Sequence, residues 1–368
     1  MDNLGKTTVG TTTQLNIPVD IIRTVAIVSI ILLHATADLT VPQMNQFEII
    51  RWTINDVYQS IGRIGVPLFA MLSGALLLQP GKRDTLTVFF NKRWARIGLP
   101  WIFWGAFFFT WDFGIEKQPL TSNTIIQGVL TGPYYNFWYL YMLLGIYLLT
   151  PILRVTLAKV NRVVVKRYIG LWFLGAAVLP FAGVLTTLSL FSNIWTTSAW
   201  VVYLLLGLVG YFVLGAFMVN VQVKRSFLSI LAILGVALTV ISIYIIESPI
   251  GGNRDIFSFT VYFGPATILA VVALFLLLNT FKTTVQTEAT PKKRHKLVSA
   301  ISQNTLPLSL FHVVVLESLQ RGYFGFAING NIINSIIGVP LITVITLSVS
   351  LGIVLSLKKI PHLKRLIG

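Results

Sequence analysis

The stretch Asn16-Ile-Pro-Val-Asp20-Ile-Ile-Arg23-Thr-Val-Ala-Ile-Val-Ser-Ile-Ile-Leu-Leu-His34 decides how this chain is read. It opens an apolar segment of membrane-spanning length, yet it carries an arginine and a histidine. An ionisable side chain at that depth is costly unless it faces protein or a wet cavity, so both are candidate functional residues. Eleven residues separate them, three helical turns, which puts both on nearly the same face. At 1.5 Å per residue they stand about 16 Å apart in depth. We therefore expect them to mark two levels of one cavity.

Composition extends this reading to the whole chain. Of the 368 residues, 55% are hydrophobic and 11% are charged, with a mean hydropathy of +0.79. Soluble domains carry about 25% charged residues, so this is an integral membrane protein. The net charge of +16 does not indicate nucleic acid, because the basic residues recur between apolar segments and mostly on one side. The absence of cysteine excludes disulfides, thiolate catalysis and Cys-ligated metal. No small-residue cleavage site follows the first apolar run, which reads as a retained anchor.

About ten apolar segments approach the ~20 residues needed to cross a bilayer. They lie near 17–37, 61–79, 97–114, 137–157, 168–187, 200–219, 227–246, 260–281, 300–319 and 334–356. The ninth, with Ser302, Gln303, Asn304 and Pro307, is the least apolar. Most of the basic residues fall in alternate loops, among them Lys92, Arg93 and Arg96, then Lys159 to Arg167, Lys292 to Lys296 and Lys358 to Arg365. The other loops hold Arg51, Lys117, Arg254 and Arg321. The positive-inside rule places both termini in the cytoplasm. The expected fold is an all-α integral membrane, polytopic bundle. Residues 1–16 form a disordered cytoplasmic N-terminus, 17–357 a single membrane domain and 358–368 a basic cytoplasmic tail. No loop is long enough for a soluble domain, so any chemistry belongs to the bundle.

Several residues are candidates for that chemistry. His34 can take a proton from a hydroxyl nucleophile, or it can be a buried histidine bonded to a neighbouring helix. Asp20 and Arg23, spaced i, i+3, can pair at the cytoplasmic mouth, where the arginine either anchors an anion or snorkels to headgroups. Arg63 opens the second segment ahead of Pro67, and Ser73-Gly74 allows close helix approach. Arg93 and Arg96 can bind phosphates, or they serve only as positive-inside charge. Trp138 and Tyr139 suit an interfacial aromatic belt and equally a sugar-stacking surface. His312 is a second intramembrane histidine, followed by Glu317. Four histidines far apart give no metal site, and no Walker loop, His-Glu-x-x-His or Gly-x-Ser-x-Gly is present.

Four blocks in this order resemble the acyltransferase 3 family of integral-membrane acyltransferases. They are Asp20 to His34; Gly65-Val-Pro-Leu-Phe through Ser73-Gly74; Lys92-Arg93 through Arg96 and Pro100; and Trp138-Tyr-Leu-Tyr through Arg154. The likeness covers residues 16 to 356 and is closest to the branch that O-acetylates surface polysaccharide. It implies transfer of an acyl group from cytoplasmic acyl-CoA, in that branch acetyl-CoA, to a hydroxyl of an extracytoplasmic or lipid-linked glycan. His34 would be the catalytic histidine and Arg23 its partner. Arg93 and Arg96, with Asp20 near, would hold the donor; Arg63, Ser73, Trp138, Tyr139 and His312 would serve the acceptor. Ala70-Met71 stands where the family often has aromatic residues. Membrane lipids are the other expected partners, with no nucleic acid, no metal and no permanently bound cofactor. The competing expectations are a proton-coupled secondary transporter and a membrane scaffold.

Overall fold

A computed structural model describes residues 18–36, 46–79, 84–117, 119, 121–180, 197–247, 261–281, 293–328 and 334–368. The expected disordered N-terminus lies outside these residues, as do 181–187 of the fifth apolar segment. Within them the chain is helical: α1 Val19–Ala35, α2 Gln46–Gly62, α3 Gly65–Leu77, α4 Leu86–Gly114, α5 Ser122–Thr131, α6 Trp138–Lys159, α7 Arg162–Trp172, α8 Thr197–Met218, α9 Arg225–Glu247, α10 Pro265–Asn279, α11 Lys293–Gln303, α12 Thr305–Gln320, α13 Ser335–Leu357 and α14 Pro361–Ile367. Nine of the apolar segments fall on one or two of these helices; the fifth meets α7 over 168–172 and continues as a π-helix, Phe173–Val178, before the described residues end at 180.

Among the described residues, four helical stretches are long and apolar enough to cross a bilayer: Ile50–Leu77, Ser122–Lys159, Arg225–Tyr244 and Ser335–Leu357. The pair Lys296–Gln303 and Thr305–Gln320 makes a fifth, bent by 83°. The chain is thus an all-helical, multi-pass membrane protein. Large apolar side chains such as Leu148, Ile152, Leu171, Ile233 and Val344 point outward, as a surface solvated by lipid requires.

Two boundaries differ from the sequence reading. The second segment begins earlier, because α2 precedes α3 with only a short break at Arg63-Ile64. Its polar residues hid it: Asn55, Asp56 and Ser60 are all buried, turned into the bundle rather than exposed in a loop. The ninth segment is not straight. Pro307 lacks an N–H and its ring clashes with a carbonyl one turn earlier, so the helix breaks ahead of it, at Asn304.

The first helix sits at the centre. α1 packs against α2, α3, α11, α12 and α13. α3 and α8 approach at backbone distance: a Cβ on Gly74 would lie 1.7 Å from the Phe212 carbonyl oxygen, and one on Gly215 2.0 Å from that of Met71. This is the close contact expected of Ser73-Gly74. The basic C-terminal segment folds as α14 and packs on α4, where Trp104 Nε1 donates to the Ile367 carbonyl at 3.3 Å.

Candidate active site

Five helices enclose a cavity of about 270 Å³. α1 contributes Arg23, and α4 contributes Arg93, Arg96 and Ile97. α3 supplies Phe69, Ser73, Leu76 and Leu77; α6 supplies Tyr139, Leu143 and Tyr147; α12 supplies Thr305, Leu306 and Ser309. The spacing explains the wall. Tyr139, Leu143 and Tyr147 recur every four residues, one face of a helix, and Phe69, Ser73 and Leu77 follow the same rule.

Its electrostatics are one-sided. Among the described residues, three guanidiniums line the space and no carboxylate does. Arg23 feels the like charge of Arg96 and the opposite charge of Asp20. Asp20 does not line the cavity; it accepts a hydrogen bond from Ser302 Oγ at 2.7 Å, tying α1 to α11. Arg93 is braced by rings, 5.0 Å from the centroid of Phe89 and 5.5 Å from that of Tyr147. Arg154 also meets Phe89, 4.9 Å from its centroid, with Nε donating to the Leu77 carbonyl at 2.7 Å. Beyond the end of α13, Lys358 has its pKa pushed down by burial and by the like charges of Lys364 and Arg96. Asp20 and Asp84 offset part of this charge from outside the lining, but the arginines outnumber them, and the excess of cations suits a polyanion.

The histidines meet elsewhere. The rings of His34 and His312 stand 5.2 Å apart between centroids, tilted by 46°. Tyr135 flanks His34 on another side, 5.4 Å away. His312 is fully buried; its Nδ1 lies 2.9 Å from the Leu308 carbonyl oxygen, and its Nε2 has no partner among the described residues. A carbonyl can only accept, so Nδ1 carries the hydrogen and Nε2 keeps a free lone pair. On α12, Ser309 lines the cavity and His312 follows one turn further on. On α1, Arg23 lines it and His34 follows three turns further on.

A family profile described as an acyltransferase domain matches residues 16–355. The chain belongs to the acyltransferase 3 family. Searches of curated proteins and of solved structures each found no match. The acyltransferase is a transferase that uses an acyl donor, and the carrier and scaffold expectations fall with that membership.

In this acyltransferase, Arg23, Arg93, Arg96, Ser73 and Tyr139 come together around one cavity, although they are drawn from four helices. Ser73 and Tyr139, expected on the acceptor side, share this wall with the donor candidates. Two other acceptor candidates lie away from it. Arg63 is buried at the α2–α3 break, donating to Gln59 Oε1 at 3.1 Å and facing the Tyr262 ring at 5.8 Å. Trp138 packs beside Tyr139 and Tyr262.

The sequence reading expected Arg23 and His34 to border one cavity; Arg23 lines this one and His34 is not among its lining residues. Sequence reading also missed Tyr147 and Tyr135. The four-residue step from Tyr139 offered a signal for the first; nothing local singled out the second.

Proposed function

We propose that the acyltransferase moves an acyl group, in the first instance acetyl, from cytoplasmic acyl-CoA to a hydroxyl of an extracytoplasmic or lipid-linked glycan. The observation that carries this reading is the cavity with three arginines and no carboxylate, lying one turn of α12 from the His34–His312 pair. Arg23, Arg93 and Arg96 take the phosphates of the donor. At about 270 Å³ the space is small beside the roughly 300–1,000 Å³ of ordinary ligand pockets, so it suits a slender arm better than a nucleotide. The nucleotide stays at the mouth, near exposed Arg96 and half-buried Lys358. The thioester travels the last stretch of about 16 Å towards His34, past Ser73, Tyr139 and Ser309.

Helix directions support a membrane topology of ten spans with both termini cytoplasmic. α1, α4 and α12 run away from the cavity towards His34, Glu116 and Glu317, as first, third and ninth spans should. α3 runs towards it, and α6 passes along it from Tyr139 to Tyr147 and on to Arg154 beside Leu77, the courses of second and fourth spans. The arginine end then faces the cytoplasm and the histidine end lies further out.

The chemistry is a group transfer. His34 accepts the proton of the acceptor hydroxyl, whose oxygen attacks the thioester carbonyl. The new C–O bond forms, the C–S bond breaks, and the departing thiolate recovers the proton from the imidazolium. In the alternative order His34 first carries the acyl group and then yields it to the hydroxyl. Holding both reactants at one level in a water-poor passage lowers the entropic barrier. Trapping of radiolabelled acyl-histidine separates the two orders.

The test uses the full chain in vesicles, with labelled acetyl-CoA on the arginine-end face and de-acetylated envelope glycan on the other. Label appearing on the glycan, with stoichiometric release of CoA thiol, is the expected result. Thiol release with no label on any glycan hydroxyl would overturn the acceptor assignment.

A further inference from the structure

Beyond His34, at the end of the bundle opposite the arginines, lies a cluster that no donor role uses. Glu317 is 8% exposed and accepts a hydrogen bond from the Tyr134 hydroxyl. The Tyr135 hydroxyl shares that carboxylate. Arg321 Nη2 stands 3.4 Å from Glu317 Oε2, and its other branch pairs with Glu116. Tyr323 donates to Glu116 Oε1 at 2.7 Å. From Ser309 to Glu317 is eight residues of α12, a rise of about 12 Å beyond the cavity.

The turn that carries the tyrosines is fixed. Asn136 is buried and its Nδ2 donates to the carbonyls of Ser309 and Leu310 at 3.3 and 3.1 Å. Tyr134 stacks on Phe108 with centroids 4.7 Å apart. Yet Tyr135, on the same turn and in ring contact with His34, is 49% exposed. A rigidly mounted aromatic ring thus stands between the imidazole and the surface of the bundle.

We propose that Tyr135 and Glu317 form the acceptor subsite, taking a neutral, hydroxyl-rich sugar ring. This rests on the acyl-to-glycan reading above and gives it a substrate class. The faintly positive C–H face of a pyranose meets the negative face of the Tyr135 ring, which sets one hydroxyl against His34. Glu317 has lone pairs left after the tyrosine and Arg321 contacts, and it accepts from a second hydroxyl. Charge sets the class. Among the described residues, Asp112, Glu116 and Glu317 interact here with a single guanidinium, Arg321, so a uronate or other anionic sugar meets repulsion.

The experiment measures acceptor KM for de-acetylated envelope glycan and, separately, acetyl-CoA Kd, on the full chain in vesicles. Tyr135→Ala should raise acceptor KM about tenfold, Glu317→Gln should raise it by a similar factor, and Tyr135→Phe, which keeps the ring and loses only the hydroxyl, should raise it less than Tyr135→Ala, all with acetyl-CoA Kd unchanged. A neutral pyranoside should compete for the acceptor and the matching uronide should not. An unchanged acceptor KM in Tyr135→Ala, equal competition by the uronide, or loss of donor binding in the variants would each overturn the subsite. If the wild type binds acetyl-CoA and labels no glycan, the function reading itself fails and the subsite with it.

Discussion

His34 and His312 are separated by most of the chain, yet their rings stand 5.2 Å apart between centroids in the middle of the bundle. The arrangement is asymmetric. His312 is fully buried and fixed by the Leu308 carbonyl, whereas His34 is partly exposed and shares its surroundings with Tyr135. One imidazole is anchored and the other is reachable, which is the order expected of a positioning group and a reacting group.

We predict that His34→Ala lowers kcat for glycan acetylation about 10²- to 10⁴-fold, the range of a general base or nucleophile. Because His34 does not line the arginine cavity, acetyl-CoA Kd should stay near wild type. Single-turnover kinetics with a parallel binding isotherm tests both halves. A variant that turns over at a tenth of the wild-type rate would remove His34 from the chemistry.

His312 can be dissected atom by atom. An asparagine amide nitrogen falls near the place of Nδ1 and keeps the contact with the Leu308 carbonyl, but it leaves nothing at Nε2. A glutamine reaches the Nε2 position instead. We predict that His312→Asn lowers kcat about 10- to 100-fold and that His312→Gln recovers part of the loss, with similar melting temperatures for both. Equal activity of His312→Asn and wild type would show that the free Nε2 has no task.

The gathering of arginines around one cavity was legible in outline from the sequence, and the reason is local. Arg93 and Arg96 are three residues apart and share a face with Ile97; Arg23 sits alone in apolar surroundings, so its placement needs a ligand or a cavity. The helix contact at Gly74 was legible too, because a glycine beside a small residue in a membrane helix has few other uses. Long-range partners were not. Nothing near Leu310-Phe-His312 indicates that its neighbour is the first helix, and nothing in the basic C-terminal segment indicates that Ile367 seats against Trp104. α2 was hidden because Asn55, Asp56 and Ser60 make an inward polar face that looks like a loop when only hydropathy is read.

Removing Arg93 or Arg96 should weaken the donor and not the reacting centre. Hydrogen bonds to charged groups contribute about 1.5–3 kcal/mol, so Arg93→Ala and Arg96→Ala should each raise acetyl-CoA Kd about tenfold or more. Arg93→Lys should recover little, since a point charge cannot reproduce the planar guanidinium held against Phe89 and Tyr147. S-acetylpantetheine, which has the thioester but not the nucleotide phosphates, should be used equally well by wild type and variants. The two donors compared side by side give the answer: an equal loss for both would mean that the arginines hold the fold or the thioester and not the phosphates.

The α3–α8 contact gives a prediction about stability. A methyl group on Gly74 would meet the Phe212 carbonyl oxygen at 1.7 Å, which is backbone and cannot swing aside, so the helices must separate. Helices that separate lose packing along α3, which also carries Phe69 and Ser73 of the cavity wall. Gly74→Ala should therefore destabilise the protein by about 3 kcal/mol, the upper end for overpacking, and weaken acetyl-CoA binding with it. Gly105→Ala is the matched control. That glycine lies within α4 with nothing inside 4 Å of the added carbon, so its replacement should leave the melting temperature unchanged or raise it slightly, by helix propensity worth about 1 kcal/mol. Thermal unfolding in detergent, followed by tryptophan fluorescence, reads the difference, and equal melting temperatures for the two variants would mean that α3 and α8 do not touch at Gly74.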